Sequence, residues 1–261
     1  MNPVTQTTAH QRMSEKYKFV STQQIIEHLA TRGWEQSHVS VANTIKKSNA
    51  GFQPHLIRLR NPSVKIDEGN APEILVLNSH NGTKALTLSL GLFRFACANG
   101  IITGKHFTKF RILHRGFTYE RLDEGLKFIL EQSDLLAAKV DALRVFKMTQ
   151  QQKRTLAQEI VQSRFVDIYK GKYPGKVDYD ALLTPAREED QGSDAWTVFN
   201  VIQEKLIRGG IKYQICRQVK DKDGKTLETI PLDKTTKEAK SIHNVVALNQ
   251  MAWDKTLAMI A

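Results

Sequence analysis

The chain has few cysteines and no long apolar run. Its 261 residues include only Cys97 and Cys216, which is too few for a disulfide framework. We therefore expect both thiols to be reduced and packed in hydrophobic cores. No apolar run approaches the roughly 20 residues that a membrane-spanning helix needs, and the N-terminus shows no secretory signal. The sequence predicts a cytoplasmic protein without a membrane partner.

The signatures of common enzyme classes are also missing. No G-x-x-x-x-G-K-[ST] run and no strand-linked G-x-G-x-x-G occurs, so no nucleotide cradle is predicted. His80, His106 and His114 lack the paired spacing of a zinc site. Glu73 precedes an apolar strand, but the lysine that a restriction-type nuclease places two residues later is absent. We expect no metal, no cofactor and no catalytic residue, although an enzyme of unrecognised type stays open.

Positive charge is what the chain has in surplus. There are 38 Lys and Arg residues against 27 Asp and Glu, a formal net charge of +11, and the pI is about 9.6. A balance of this size favours polyanionic partners such as nucleic acid. The alternative is a protein with lysines scattered over its surface.

Strand and helix patterns alternate in the first half of the chain. Residues 74–77 form an apolar run that predicts a buried strand, and residues 52–60 alternate as a half-buried strand does. Apolar residues at helical spacing predict a buried central helix that ends at Asn99 and Gly100. These apolar residues are Leu86, Leu90, Phe93 and Cys97. From Tyr119 onward the patterns are mainly helical.

These patterns predict an α+β fold with a curved, mostly antiparallel sheet, a buried central helix and a helical second half. The expected organisation is a flexible N-terminal arm over residues 1–18 and a sheet domain over residues 19–118. A mainly helical part over residues 119–261 is expected to pack on the sheet as one continuous domain.

Cations are concentrated between Arg94 and Arg121, where Glu120 is the only acidic residue. Aromatic residues are interleaved with them, and exposed rings stack on bases while cations contact phosphates. The predicted nucleic-acid-binding residues are Arg58, Arg60, Arg94, Lys105, Lys109, Arg111 and Arg115. The same pattern also fits the solvated face of any half-buried strand.

Two polar groups of residues are further candidates. The turn N-S-H-N-G follows the predicted buried strand, and we expect it to satisfy buried backbone groups or to form a site; its residues of interest are Asn78, His80, Asn81 and Gly82. A buried polar network between helices and sheet, or a subunit contact, is predicted for Arg187, Asn200, Gln203 and Glu204.

Several stretches resemble, in order, one known family. These are HLIRLR, LVLNSHNGTKAL, LGLFRFACANGIITG, REEDQGSDAWTVFNVIQEKLIRGG and SIHNVVALNQMAW. They are similar to the "phage/plasmid-like" protein family, a domain of unknown function of phages, plasmids and integrated mobile elements. The resemblance implies a bacterial host cell and supplies no reaction.

Charge and context together predict a non-enzymatic nucleic-acid-binding protein of a mobile element. Single-stranded DNA is the favoured ligand, with binding or annealing in recombination as the role, by analogy of fold and context. The alternative is a counter-defence factor that inhibits a host protein by binding it. A homo-oligomer is among the expectations, and the sequence leaves the oligomeric state open.

Overall fold

The structure is a computed structural model that describes residues 2–94, 100–102, 109–220 and 226–261. The chain forms two compact units, residues 1–138 and 139–261. The division falls within helix α3 (Ser133–Val145), one helix beyond the change of pattern at Tyr119. In the described part of the chain, no helix combines the length and apolar character needed to cross a membrane.

The first unit is built on an antiparallel sheet. Five strands follow one another in the order β1–β2–β3–β4–β5, and β6 pairs with β4 as well. Helices α1 and α2 flank this sheet in the chain. The elements are α1 (Thr22–Ala30), β1 (Glu35–Val41), β2 (His55–Arg60), β3 (Asn70–Asn78), β4 (Leu86–Arg94), β5 (Gly100–Ile102), β6 (Phe110–Ile112) and α2 (Tyr119–Leu130).

The predicted α+β class is confirmed, and the predicted strand over residues 74–77 lies in β3. The prediction of a buried central helix is wrong, because residues 86–94 form strand β4. Leu86 and Leu90 are spaced as on one face of a helix. With Leu88 and Leu92, however, leucines occur at every second residue, which is the pattern of a strand. All four leucines are buried. Cys97, the last residue of the predicted helix, lies outside the described residues.

Helix α2 covers one face of the sheet. It packs against β4 and β6, and Leu122, Leu126 and Ile129 on one side of it are buried. At Gly125 the helix approaches so closely that an added Cβ would lie 2.6 Å from the ring of Phe110. Ladder partners on neighbouring strands share a face, so Phe110 and its partner Leu88 mark the face that the helix covers.

Residues 2–18 have no helix or strand, yet they contact the sheet unit. Val4 and His10 are buried, and the backbone N–H of His10 donates to the carbonyl of His80. Tyr17 donates its hydroxyl hydrogen to the carbonyl of Ser79. This segment, expected as a flexible arm, therefore contacts the turn after β3.

In its described residues, the second unit combines the C-terminal part of α3 and four further helices with a three-stranded antiparallel sheet. Its aromatic core is formed by Trp196, Phe199 and Trp253, whose ring centroids lie 5.5–6.4 Å apart. The elements are α4 (Gln150–Ser163), β7 (Lys176–Val177), α5 (Tyr179–Leu183), α6 (Ala195–Arg208), β8 (Lys212–Lys220), β9 (Thr226–Thr235) and α7 (Ile242–Ala258).

Strand β9 was not expected from the charged sequence that forms it. It pairs with β8 over its whole length and carries Pro231, which lacks a backbone N–H and is tolerated because β9 is an edge strand. Cys216 lies on β8 and is exposed. The prediction that this thiol is packed in a core is therefore wrong, because the strand that carries it is not covered by the rest of the unit.

We expect Gly209→Ala to destabilise the second unit more than Gly210→Ala. Both glycines follow α6 with positive φ, 88° and 105°, and the strain of a left-handed backbone costs about 1–2 kcal/mol at each. A Cβ at Gly209 would also lie 2.5 Å from the carbonyl oxygen of Thr236, whereas Gly210 faces open space. Overpacking adds about 1–3 kcal/mol. Two of the three tryptophans lie in this unit, so urea unfolding followed by tryptophan fluorescence measures the free energy of unfolding of each variant. Equal losses of stability in the two variants would contradict the predicted clash at Gly209.

Candidate nucleic-acid interface

The sheet separates the predicted cations into two sets. Arg60 lies opposite Glu73, and Arg111 lies opposite Thr87. Side chains alternate between the two faces along each strand, and paired residues share a face. Arg58, Arg60 and Arg111 therefore lie on one face of the sheet, opposite to the face that α2 covers. We call this the arginine face. Arg94 falls on the other face and is buried.

Two members of the arginine face are held by one carboxylate. Glu73 is fully buried; Arg58 donates to its Oε2 at 2.5 Å and Arg60 to its Oε1 at 2.9 Å. The guanidinium of Arg60 also lies 3.3 Å from the ring centroid of Phe93, a cation–π contact. Arg58 and Arg60 therefore form part of a three-residue ionic group with one residual positive charge.

The cations around β6 are in a different environment. Lys109, Arg111 and Arg115 are exposed, and within the described ranges no acidic side chain forms an ion pair with any of them. Leu113, between them in sequence, has 55% of its surface exposed. We call these three residues the β6 cations. Lys105, which was predicted with them, lies outside the described residues.

The turn after β3 adjoins a buried group of three histidines, which the sequence did not predict as a group. His55 and His80 are fully buried and His114 nearly so. Nε2 of His114 lies 2.8 Å from Oδ1 of Asn78, whose Nδ2 donates to Oγ1 of Thr22 at 2.9 Å. Oγ1 of Thr22 lies 2.7 Å from Nε2 of His55.

The position of each hydrogen in this group follows from its partners. The carbonyl of Gln53 only accepts, so Nδ1 of His55, 3.0 Å away, carries a hydrogen and Nε2 of His55 accepts. Thr22 therefore donates to His55 and accepts from Asn78. The oxygen of Asn78 in turn accepts from Nε2–H of His114, so each polar atom in the series has one assigned role.

Burial keeps these histidines uncharged. Desolvation, reinforced by the neighbouring His55, lowers the pKa of His80 to about 4, and desolvation lowers the pKa of His114 to about 4. The pKa of His55 is also lowered by burial, against the opposing effect of its bond to the Gln53 carbonyl. Neutral rings are what the hydrogen-bond series requires.

The remaining turn residues connect the N-terminal segment to the sheet. Nε2 of His80 lies 2.9 Å from the carbonyl oxygen of Pro3, and Oδ1 of Asn81 accepts from the hydroxyl of Thr83 at 2.6 Å. Gly82 has φ of 73°, and an added Cβ would lie 2.8 Å from the sulfur of Met13. In the described part of the chain, no group of three or more His, Cys, Asp or Glu could hold a metal ion.

The polar residues predicted to act together in the second unit belong to three separate contacts. Arg187 donates to both carboxylate oxygens of Glu204, at 2.5 and 2.6 Å. Gln203 donates to Oδ1 of Asn249 at 2.8 Å, a partner that the sequence reasoning missed although Asn249 interrupts the apolar face of α7. Asn200 donates to the carbonyl of Trp196 in its own helix.

The profile of the family described as "Domain of unknown function (DUF932)" matches residues 9–253. The chain belongs to this family. It is 30% identical over 202 residues to "UPF0380 protein YafZ" of Escherichia coli (strain K12), covering 77% of this chain and 72% of that protein. It is 28% identical over 244 residues to "UPF0380 protein YfjQ" of the same organism, covering 94% and 82%. No solved structure matches the chain.

Membership in DUF932 confirms the predicted resemblance to a family of unknown function. The names of the two relatives state no activity, ligand or partner. Nucleic-acid binding, recombination, counter-defence, a mobile-element origin and a cytoplasmic location therefore stay predictions for this DUF932 protein.

Replacing the buried carboxylate of this DUF932 protein, Glu73→Gln, is expected to destabilise the first unit by about 3–5 kcal/mol. The loss arises because Gln cannot supply the buried negative charge that Glu73 places against Arg58 and Arg60. Glu68→Gln, at an exposed position in the preceding loop, removes the same charge and serves as the control. Urea unfolding read by pulsed hydrogen–deuterium exchange of the β3 peptide isolates this unit. A loss for Glu73→Gln as small as that of the control would disprove the ionic group's role.

The histidine group predicts acid sensitivity of the first unit. Histidines whose pKa is lowered in the folded state bind protons first in the unfolded chain, so stability is lost as pH falls from about 6.5 towards 4. Each such histidine contributes a slope of up to about 1.4 kcal/mol per pH unit. His114→Gln keeps a donor for Asn78 and should reduce this slope, whereas His38→Gln, at an exposed position on β1, should not. Hydrogen exchange of the β3 peptide between pH 7 and 4.5 gives the change of stability with pH for the unmodified protein and for each variant. The same pH dependence in all three proteins would contradict the assignment of the acid sensitivity to the buried histidines.

Proposed function

We propose that this DUF932 protein binds nucleic acid, with single-stranded DNA as the favoured ligand, through the β6 cations. The observation that carries the proposal is that Lys109, Arg111 and Arg115 are exposed and that no acidic residue within the described ranges pairs with them. A cation that already pairs with a carboxylate gains less from a phosphate than one that does not. The β6 cations keep their full charge for a ligand, whereas Arg58 and Arg60 are already held by Glu73.

The favoured ligand follows from what surrounds the cations. Phosphate contacts supply affinity without sequence preference, because each displaces counterions from the backbone. Leu113 is exposed among the cations, and Tyr119, at the start of α2, is 38% exposed. Unstacked bases in a single strand offer apolar surfaces for such side chains. Arg94 is left out of the proposed contact because it is buried on the opposite face of the sheet.

The proposed role is binding or annealing of single strands in the recombination of a mobile element. It needs no catalytic group and no cofactor. The net charge of +11 supports it through long-range attraction of a polyanion, and the family resemblance supports the context.

The test compares two triple variants that lose the same charge. Lys109→Ala/Arg111→Ala/Arg115→Ala removes the β6 cations, and Lys16→Ala/Lys46→Ala/Lys47→Ala removes three exposed lysines elsewhere in the same unit. Fluorescence anisotropy with single- and double-stranded oligonucleotides at several salt concentrations measures affinity. The first variant should bind single strands at least tenfold more weakly, and its salt slope should fall by about 2, since each phosphate contact contributes about 0.7.

Two results would overturn the proposal. One is absence of binding by the unmodified protein even at low salt, where phosphate contacts are strongest. The other is an equal loss in both variants, because that would show a dependence on net charge and not on the β6 cations. Tighter binding of double-stranded oligonucleotides would still support the β6 cations as the binding surface, but double-stranded DNA would then be the favoured ligand.

A further inference from the structure

Strands β8 and β9 extend beyond their own sheet as a two-stranded ribbon. Strand β7 pairs with Tyr213 and Gln214 of β8, so from Ile215 onward β9 is the one strand, within the described residues, that pairs with β8. We call residues 215–220 and 226–232 the ribbon. The base is fixed by Tyr213, whose ring centroid lies 5.0 Å from that of Phe165. Beyond the base, residues 215–218 and 228–232 are all exposed.

The two faces of the ribbon differ in chemistry. Ile215 lies opposite Leu232, and Arg217 lies opposite Ile230, so these four side chains share one face. Ile215, Ile230 and Leu232 are 37%, 41% and 36% exposed. The other face is polar or small and carries Gln214, Cys216, Gln218, Thr229, Pro231 and Asp233.

An apolar face of this kind is unusual on an uncovered ribbon. An isolated two-stranded hairpin is marginally stable in water, and a third strand or a packed face is normally needed. Contiguous exposed apolar side chains indicate a surface that another molecule covers. The ribbon therefore has an apolar face that its own unit leaves open.

Charges at the two ends of this face identify the occupant. Lys234 pairs across the ladder with Tyr213 at the base, and Glu228 pairs with Val219 towards the tip. Both charged residues are exposed, and neither has an ion-pair partner in the ranges that the structure describes. They lie six residues apart on β9, which is about 20 Å along the strand. This face is thus positive at the base through Lys234 and in the middle through Arg217, and negative towards the tip through Glu228.

We propose that two copies of the chain associate by packing these ribbon faces against each other about a two-fold axis. The two-fold axis lies between the two ribbons, parallel to their sheet planes and perpendicular to their strands. Strand β9 of one copy then packs antiparallel over β9 of the other copy. This arrangement brings Glu228 of each copy to Lys234 of the other, and Ile230 to Leu232. Such an interface is isologous, because the same patch is used twice. The alternative axis, parallel to the strands, keeps Glu228 of each copy away from Lys234 of the other and does not form this ion pair.

The base of the ribbon leaves room for the second copy. A groove of about 620 Å³ is lined by Lys212, Tyr213 and Lys234 together with residues of β7 and α5. Lys234 lines this groove together with Asp178, Asp180 and Asp233. The net charge of +11 opposes association of two copies, and the paired opposite charges offset part of that repulsion.

A charge exchange tests the proposal independently of nucleic-acid binding. Sedimentation of nuclease-treated protein measures whether the mass rises with concentration from 29.6 kDa towards twice that value. Glu228→Lys and Lys234→Glu should each weaken association at least tenfold, because each places like charges together. The double variant Glu228→Lys/Lys234→Glu restores opposite pairs and should return the dissociation constant to within about threefold of the original.

Thr229→Lys is the matched control, since it adds a charge to β9 on the polar face and should leave the dissociation constant unchanged. Circular dichroism verifies that all variants, which change exposed positions, are folded. A protein that stays monomeric at every concentration overturns the proposal. So does a dimer that the single exchanges leave intact, or one that the double variant fails to restore. Loss of oligonucleotide binding in ribbon variants of a monomer would assign the face to nucleic acid instead.

Discussion

The side-chain amide of Asn78 is the interaction on which the first unit depends. Its nitrogen donates to the carbonyl of Val20 and to Thr22 at the start of α1. Its oxygen accepts from His114, in the turn that precedes α2, and from the N–H of Ser79. One fully buried group at the end of β3 therefore joins the first helix, the following turn and the approach to the second helix. Buried polar groups of this kind stabilise the fold through their hydrogen bonds, and the surrounding histidines, whose pKa values are lowered by burial, are neutral as these bonds require.

The sequence predicted the sheet better than it predicted the elements beside it. The apolar run of β3 and the alternation of β2 are unambiguous, because a helix would not produce either. Strand β4 was mistaken for a helix since leucines at every second position also occur at every fourth. Strand β9 was missed because its apolar alternation is limited to Ile230 and Leu232 among polar and charged residues, which is too short a pattern to predict a strand.

The candidate site could be predicted only in part, because it depends on which residues the strand register brings together across the sheet. The alternation of residues 52–60 puts Arg58 and Arg60 on one face, but only the register of β2 with β3 places Glu73 beside them. In sequence, Glu73 has no lysine two residues after it, whereas in the fold its partners are arginines on a neighbouring strand. Likewise, the three histidines at positions 55, 80 and 114 are too far apart in sequence to be recognised as a group. Composition predicts how much charge a chain carries, and only the ladder shows which charges are already neutralised.

The proline in β9 limits how far strands can add to the ribbon. Pro231 lies opposite Cys216, and its nitrogen has no hydrogen to donate to a further strand. An uncovered two-stranded ribbon would otherwise present two edges, and molecules joined through both edges would grow into filaments. With this donor missing, a further strand pairs less well with β9 than with an uninterrupted edge. The proline thereby disfavours open-ended growth through both edges of the ribbon.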